Sequence, residues 1–339
     1  MKKSRVAFII ASLFLLMSVM STSAIAKDLT LSSWLPPKHP IVADMIDPWI
    51  ENVKKATDGR VNITRLAKGL GHPKAYFDIV KNGMADTGYT CNDYTPGRFA
   101  VSQGVQIPFL GDTSEAMSVS YWRTHQKYFA KADEYRGIKL LGLMVHGPGQ
   151  IHNSKKPITS VADLKGMKFR ISGGIAGAIC ESLGMVGIQK SATKNYELLS
   201  RGVADGTLLP LESIKSFKIT KLVPYTTIIP GGLYNVSFYL AINKKTFKSL
   251  SGPDQKAVLN VSGEAFARLA GKAWDAADKV GLAAMKEAGN NIITASPEFI
   301  KEIKTATAHI ENDWVKNADA KGVDGAAALK YYRDQIKNY

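Results

Sequence analysis

The sequence predicts an α/β protein built from two domains. From residue 29 onward, short apolar segments alternate with amphipathic helical segments, which is typical of largely parallel sheets. After an N-terminal segment of 26 residues, 313 residues remain, and single hydrophobic cores stop growing at about 250–300 residues. A chain of this length and pattern favours two cores.

The N-terminal segment has the pattern of a secretory signal peptide. Three basic residues among the first five precede an apolar run over residues 6–20, which is shorter than the roughly 20 residues that a membrane-spanning helix needs. Ala24 and Ala26 supply the small residues of a cleavage site, and no cysteine follows them for lipid attachment. We expect a signal peptide at residues 1–26, a mature chain that begins near Lys27, and a periplasmic location.

The first domain is expected to open with three strands, at residues 29–33, 61–66 and 86–90. A helix is predicted between the first two strands, because apolar residues recur there at every fourth position: Ile41, Met45, Trp49 and Val53. A second helix over residues 73–81 ends at the turn signal Asn82-Gly83.

Two longer elements follow in the first domain. Ser114 and its acidic neighbours predict a helix that runs to about Lys131. Residues 138–145 form a strongly apolar strand, and Gly147-Pro148-Gly149 then breaks the chain.

A new α/β unit is expected after this break. Residues 168–171 read as a strand that turns through Gly173-Gly174 into a helix containing Cys180 and Leu183. A strand at residues 185–188 follows. This unit predicts the second domain.

The last part of the chain predicts a long strand and a long helix. Residues 233–242 alternate as a strand does, and Pro253 suits the first turn of a helix that reaches about Ala288. At 1.5 Å per residue such a helix is roughly 50 Å long and can span both domains. Two helices broken at Gly271 are the alternative.

The chain has no low-complexity linker, so we expect crossing strands to join the domains. The expected first lobe comprises residues 27–150 and about 237–270. The expected second lobe comprises residues 151–236 and about 271–339.

Charge and motifs narrow the classes of function. The formal net charge is +15, and +12 without the signal peptide, but the lysines are scattered and no nucleic-acid motif is present. We therefore expect attraction of an anionic ligand or an anionic membrane surface, and no nucleic-acid partner. The sequence contains no HExxH, GxSxG or Walker pattern, and we expect no enzyme activity, no metal and no cofactor. Cys91 and Cys180 could form one disulfide in an oxidising compartment, and the sequence leaves this open.

Two segments carry a family resemblance. Residues 161–170 (VADLKGMKFR) and 201–206 (RGVADG), in this order after Lys156-Pro157-Ile158, resemble the solute-binding proteins of TRAP transporters. Residues 94–99 (YTPGRF) and 233–236 (LYNV) support the resemblance, which covers nearly the whole mature chain. It implies a two-lobed periplasmic binding protein with crossing hinge strands and a long helix across both lobes. It also implies a monomer that delivers its ligand to membrane permease subunits driven by an ion gradient.

The resemblance assigns the ligand carboxylate to Arg170, which ends the first of these segments. Physical chemistry agrees, because the planar guanidinium of arginine donates two parallel hydrogen bonds to a carboxylate. The expected helix N-terminus after Gly173-Gly174 would add backbone donors.

Five further residues are expected to shape the site. Trp34 follows the first strand and Asp93 the third, at the strand ends where open α/β sheets bind ligands. Glu212 stands where the family supplies an amide or another polar group. Tyr234 and Asn235 adjoin on a predicted strand, so only one of them can face the ligand, and we favour Asn235.

The sequence thus predicts capture of a small organic acid in the cleft between the lobes. Because Glu212 would repel an anionic ligand, a small amine or zwitterion held by Asp93 and Glu212 is the alternative. An exported enzyme on the same scaffold is the alternative class of function.

Overall fold

The structure, a computed structural model, describes residues 26–339. The predicted signal peptide lies outside the described residues, apart from Ala26. Among the described residues, no helix combines the length and the apolar character needed to cross a membrane.

The described chain forms eleven β-strands and eleven α-helices. The strands are β1 (Lys27–Ser32), β2 (Val61–Arg65), β3 (Thr87–Cys91), β4 (Ile138–Val145), β5 (Gln150–Asn153), β6 (Lys168–Ile171), β7 (Val186–Gln189), β8 (Gly206–Leu209), β9 (Tyr225–Ile228), β10 (Ser237–Asn243) and β11 (Asn291–Thr294). The helices are α1 (Asp47–Ala56), α2 (Tyr76–Lys81), α3 (Ser114–Lys127), α4 (Ile175–Ser182), α5 (Asn195–Ser200), α6 (Leu211–Ser216), α7 (Lys244–Ser249), α8 (Gly252–Asn260), α9 (Gly263–Glu287), α10 (Pro297–Asp319) and α11 (Gly325–Lys337).

Two separate sheets confirm the predicted two-lobed α/β fold. The first sheet has the strand order β2-β1-β3-β10-β4, and β10 runs antiparallel to both of its neighbours. The second has the order β11-β9-β5-β8-β6-β7, with β6 parallel to β7 and β8. Each lobe therefore has its own sheet.

The lobes are joined by crossing segments, as predicted. Residues 146–149 lead from β4 to β5, and residues 229–236 lead back from β9 to β10. The two segments bond to each other: the Gly149 amide donates to the Tyr234 carbonyl (2.7 Å) and the His146 amide to the Val236 carbonyl (3.1 Å). Gly149 is needed here, because a Cβ would lie 2.2 Å from the Tyr234 ring.

The helix expected from Pro253 to Ala288 is interrupted, so the prediction of one continuous helix is wrong. Helix α8 ends at Asn260 and α9 begins at Gly263, whose φ of +58° favours glycine. The alternative break at Gly271 is also wrong, since Gly271 lies inside α9, where a Cβ would come within 2.4 Å of the Glu115 Cα. Helix α9 still packs against α3 beside the first sheet and α6 beside the second, so it spans both lobes as expected.

The C-terminal helices return to the first lobe. The indole Nε1 of Trp314 in α10 donates to the Val101 carbonyl (3.1 Å), and the Tyr332 hydroxyl in α11 donates to the Met117 carbonyl in α3 (3.2 Å). The start of α10 packs near α4 of the second lobe. These contacts of Trp314 and Tyr332 differ from the lobe boundaries given above, which place residues 271–339 in the second lobe. The boundaries stay a prediction.

Local details differ from the predicted elements. Residues 41–46 form a π-helix that continues into α1, and Ile41, Met45, Trp49 and Val53 are all buried, as their spacing predicts. Strands β5, β8, β9 and β11 were not predicted. Cys91 and Cys180 are both buried free thiols.

Candidate functional site

A small cavity of about 40 Å³ lies between the two lobes. Several of its walls come from the carboxyl ends of strands, the edge at which α/β sheets present ligand-binding groups: Trp34 after β1, Cys91 at the end of β3, Arg170 and Ser172 around the end of β6, and Leu209 at the end of β8. The rest of the lining is mainly apolar or aromatic, with Ile41, Tyr94, Pro210, Phe217, Tyr234, Val236, Phe238 and Trp274. This composition suits an organic ligand with a large apolar surface.

Arg170 supplies the positive charge of the cavity. The side chain is only 2% exposed, and its Nε donates to the Lys190 carbonyl (2.9 Å), while Nη2 lies 3.5 Å from the Tyr94 hydroxyl. Within residues 26–339 Arg170 forms no ion pair, and none of the described residues lining the cavity is acidic. The guanidinium therefore has donor capacity left for an anion.

Two histidines in the lining add no charge at neutral pH. Burial lowers the pKa of both His39 and His146 to about 4, and the charge of Arg170 contributes to the lowering at His146. The cavity consequently presents one positive charge.

Trp34 and Tyr94 form one wall. The rings pack edge to face, with centroids 5.8 Å apart. The Tyr94 hydroxyl accepts a hydrogen bond from the Ala192 amide (2.8 Å) in the other lobe. This wall therefore joins the lobes beside Arg170.

Asp93 does not line the cavity. Its carboxylate accepts hydrogen bonds from Gln106 Nε2 (2.9 Å) and from the Ser172 hydroxyl (2.9 Å), and Ser172 does line the cavity. Burial raises the pKa of Asp93 to about 6, against the effect of its two hydrogen-bond donors and of Arg170. Asp93 is thus placed to orient Ser172 across the cleft. The sequence instead predicted that Asp93 contacts the ligand directly.

Glu212 also lies outside the lining. Its Oε2 accepts from the Ser213 hydroxyl (2.7 Å), and its Oε1 lies 3.7 Å from His39 Nε2. Burial raises the pKa of Glu212. Neither Asp93 nor Glu212 faces the cavity. The cavity therefore offers no acidic partner to an amine ligand, the alternative ligand class considered from the sequence.

Of the adjacent pair Tyr234 and Asn235, the tyrosine lines the cavity. The Asn235 amide nitrogen instead lies 3.4 Å from the sulfur of Met117. This orientation is the reverse of the preference stated from the sequence, because the crossing segment directs Tyr234 against His146, with ring centroids 5.3 Å apart.

Sequence reasoning missed most of the lining residues, among them His146, Phe217 and Trp274. These three come from the first crossing segment, the end of α6 and the middle of α9. His146 stands directly before the Gly147-Pro148-Gly149 break, which was the one available signal. Nothing local marks Phe217 or Trp274 as site residues.

No group of three or more His, Cys, Asp or Glu side chains in the described part of the chain is arranged to hold a metal ion. The chemistry that the cavity offers is hydrogen bonding to an anion and contact with apolar surface.

Comparisons with known proteins agree with this geometry. Residues 31–317 match the family described as bacterial extracellular solute-binding protein, family 7. The outer membrane transporter protein TsaT of Comamonas testosteroni is 33% identical over 308 residues, which are 91% of each chain.

Solved structures of similar proteins carry small acids. A TRAP periplasmic solute-binding protein of Bordetella bronchiseptica, with bound (R)- and (S)-mandelate, superposes with a TM-score of 0.90 at 41% identity, over 92% of this chain and 99% of that one. A TRAP solute-binding protein of Rhodoferax ferrireducens, with copurified benzoate, has a TM-score of 0.87 at 29% identity, over 92% of this chain and 98% of that one.

Proposed function

The chain belongs to the bacterial extracellular solute-binding proteins of family 7, and on this premise we propose that it captures a single-ring aromatic monocarboxylate for a TRAP transporter. The observation that carries the proposal is Arg170, a buried arginine without an acidic partner in a cavity with aromatic walls.

Charge supports a monoanion. Arg170 brings one positive charge, both lining histidines are neutral near pH 7, and no lining residue among those described is acidic. One ligand carboxylate balances this charge, whereas a dicarboxylate would bring a second charge into an apolar surrounding at a cost of several kcal/mol.

The lining supports one aromatic ring. Trp34, Phe217, Tyr234 and Trp274 provide faces and edges against which an aromatic ring packs well. Mandelate and benzoate, found in the two similar structures, each combine one ring with one carboxylate.

The family and the N-terminal pattern support the proposed location and partner. The mature protein works in the periplasm as a monomer, binds its ligand without chemical change, and passes it to membrane permease subunits. Mass spectrometry of the exported protein tests the location, with an expected mature N-terminus at Lys27.

The ligand is tested by isothermal titration of the mature protein, unfolded and refolded to remove copurified ligand. Benzoate, phenylacetate and mandelate are compared with succinate and benzylamine. We expect binding of at least one of the three aromatic acids and weak or no binding of succinate and benzylamine.

The Arg170→Met variant is expected to lose aromatic-acid binding by at least 100-fold, because the charge-assisted hydrogen bonds to the carboxylate are lost. Arg201→Met is the matched control, since the Arg201 side chain is 72% exposed and remote from the cavity. Equal binding by wild type and Arg170→Met, or preference for benzylamine over every acid, contradicts the proposal. Recovery of a chemically altered acid supports the enzyme alternative.

A further inference from the structure

The cavity lining contains four buried polar atoms that have no hydrogen-bond partner among the described residues: Nε1 of Trp34, Nε2 of His39, Nε2 of His146 and Nε1 of Trp274. The last two belong to neighbouring rings. His146 is 4% exposed and Trp274 is 2% exposed, and both line the cavity. A buried polar group without a partner is unfavourable, so these atoms point to a ligand group.

The two atoms have opposite hydrogen-bonding roles. Nδ1 of His146 lies 2.5 Å from the Gly147 carbonyl, and only a protonated nitrogen can bond to a carbonyl oxygen. Because the ring is neutral, Nε2 of His146 is then an acceptor. The indole Nε1–H of Trp274 can only donate.

The rings are close enough for one small group to reach both, since their centroids are 6.0 Å apart. A carboxylate accepts hydrogen bonds and cannot satisfy His146 Nε2. A hydroxyl group both donates and accepts, so it matches this pair of atoms.

We propose that the ligand carries a hydroxyl group in addition to its carboxylate, and that this hydroxyl donates to Nε2 of His146 and accepts from Nε1 of Trp274. The inference rests on the proposed function, since it adds a specificity contact to the same cavity. The inference goes beyond what the two similar structures suggest about the ligand. One of them holds an acid with a hydroxyl group (mandelate) and the other an acid without one (benzoate), so together they do not decide whether the ligand carries a hydroxyl.

An ammonium group fits the site less well than a hydroxyl. It could donate to His146 Nε2, but it cannot accept from Trp274, and it would add a positive charge near Arg170 where no lining acid balances it.

The test compares ligands that share one carbon skeleton. Titration of the wild-type protein uses phenylacetate, mandelate, 3-hydroxyphenylacetate and phenylglycine. We expect mandelate or 3-hydroxyphenylacetate to bind at least tenfold more tightly than phenylacetate, and the better of the two tells whether the hydroxyl sits beside the carboxylate or on the ring. Phenylglycine should bind more weakly than mandelate.

Variants assign the preference to His146. In His146→Phe the hydroxyl preference should fall below threefold, whereas His146→Gln, which keeps an acceptor oxygen, should retain most of it. His125→Phe is the matched control, because His125 is also buried and neutral but lies outside the cavity.

Four outcomes overturn the inference: phenylacetate binding within threefold of both hydroxy acids, tighter binding of phenylglycine, persistence of the preference in His146→Phe, or its equal loss in His125→Phe. Each of them leaves the proposed function standing as long as the aromatic acids bind and Arg170→Met abolishes that binding. Failure of all four ligands and of benzoate to bind overturns the proposed function itself.

Discussion

Arg170 is a charged side chain that the protein keeps almost entirely out of water. The Lys190 carbonyl and the Tyr94 hydroxyl satisfy part of its guanidinium, and no described acid pairs with it. Asp93 attracts Arg170 without a direct contact, and burial of a charge without a counter-ion in direct contact costs several kcal/mol. The ligand-free protein therefore carries an electrostatic cost in its closed form, and a bound carboxylate offsets it.

This cost predicts opposite effects of one substitution on binding and on stability. In Arg170→Met an apolar chain of similar length replaces the buried charge, so the free energy of unfolding of the ligand-free protein should stay equal or rise by up to about 3 kcal/mol. Calorimetry of ligand-free wild type and variant measures this. A fall in melting temperature of more than about 3 °C, roughly 1 kcal/mol for a protein of this size, contradicts it.

Asp93 gives the stability of the protein a dependence on pH. Burial raises the pKa of this carboxyl to about 6 from an ordinary value of 3.8, so the folded protein binds the proton more tightly than the unfolded chain. The stabilising contribution of this proton is complete below about pH 4 and is lost as the pH rises through about 6. The difference between these two pKa values corresponds to about 3 kcal/mol in the free energy of unfolding.

The Asp93→Asn variant should remove this dependence. The asparagine can still accept from Gln106 and can donate to the Ser172 hydroxyl, but it does not titrate. Urea unfolding from pH 4 to 7 should show a loss of stability that is smaller in the variant than in wild type by about 2–3 kcal/mol. Other carboxyl groups cancel in this difference, and parallel pH profiles of the two proteins would rule out the assigned role of Asp93.

At the scale of elements, prediction from sequence succeeded where the signal is local. Strands β4 and β6 match residues 138–145 and 168–171 because apolar residues fill them and turn residues follow them. Strand β5 (QIHN) is short, three of its four residues are polar, and its strand character comes from pairing with β8 and β9. Predicting β5 would have required knowledge of the strands that pair with it, in addition to its own four residues.

The break between α8 and α9 was missed for a related reason. Ser262-Gly263 contains a usual N-cap residue, but the apolar periodicity continues across it and argued for one helix. The break is tied to tertiary contacts: the Ser262 hydroxyl accepts from Trp49 Nε1 (3.1 Å), and a Cβ at Gly263 would lie 2.8 Å from the Trp122 ring. Neither tryptophan is near in sequence.

The close packing of the two crossing segments leads to a testable prediction at the scale of elements. In Gly149→Ala the new methyl group would meet the Tyr234 ring at 2.2 Å and the Tyr234 carbonyl at 2.8 Å. Tyr234 must shift, so we expect a loss of about 1–3 kcal/mol in the free energy of unfolding and weaker binding of the aromatic acid. Denaturant unfolding and titration measure the two effects.

Gly177→Ala is the matched control, because Gly177 lies inside α4 and a Cβ there makes only one ordinary contact, at 3.9 Å from Ile171. Alanine should stabilise that helix by about 0.5–1 kcal/mol. If Gly149→Ala is as stable and binds as tightly as wild type, the prediction is wrong. The crossing segments can then rearrange to accept the methyl group without loss of stability or affinity.

At the scale of the whole molecule, individual residues of the cavity lining could be predicted from the sequence, but the complete cavity could not. Arg170 and Trp34, which line the cavity, could be named from the sequence because each belongs to a recognisable strand end or motif, and Tyr234 was named as one of two neighbours. His146, Phe217 and Trp274 join them only when the lobes, the first crossing segment and α9 meet in space. The amine alternative rested on Asp93 and Glu212, whose side chains bond to Ser172 and Ser213 and lie outside the lining.

Closure of the lobes should depend on the Tyr94 hydroxyl. It accepts from the Ala192 amide of the opposite lobe (2.8 Å), so in Tyr94→Phe that amide is buried without a partner when the lobes close, at a cost of about 1–3 kcal/mol. In an open form the amide can bond to water, so the substitution favours opening. We therefore expect the Kd for the aromatic acid to rise by about 5- to 150-fold, mainly through faster dissociation, with little change in the melting temperature of the ligand-free protein.

Tyr89→Phe separates this effect from the loss of any buried tyrosine hydroxyl. The Tyr89 hydroxyl lies 2.6 Å from that of Ser33 in the same lobe, so its removal costs the open and closed forms equally and should change the Kd by less than threefold. Titration and stopped-flow dissociation of both variants make the comparison. Equal loss of affinity in the two variants, or wild-type affinity in Tyr94→Phe, would show that the hydrogen bond between Tyr94 and Ala192 does not hold the lobes together, and closure would then depend on the ligand and on the Asp93–Ser172 contact.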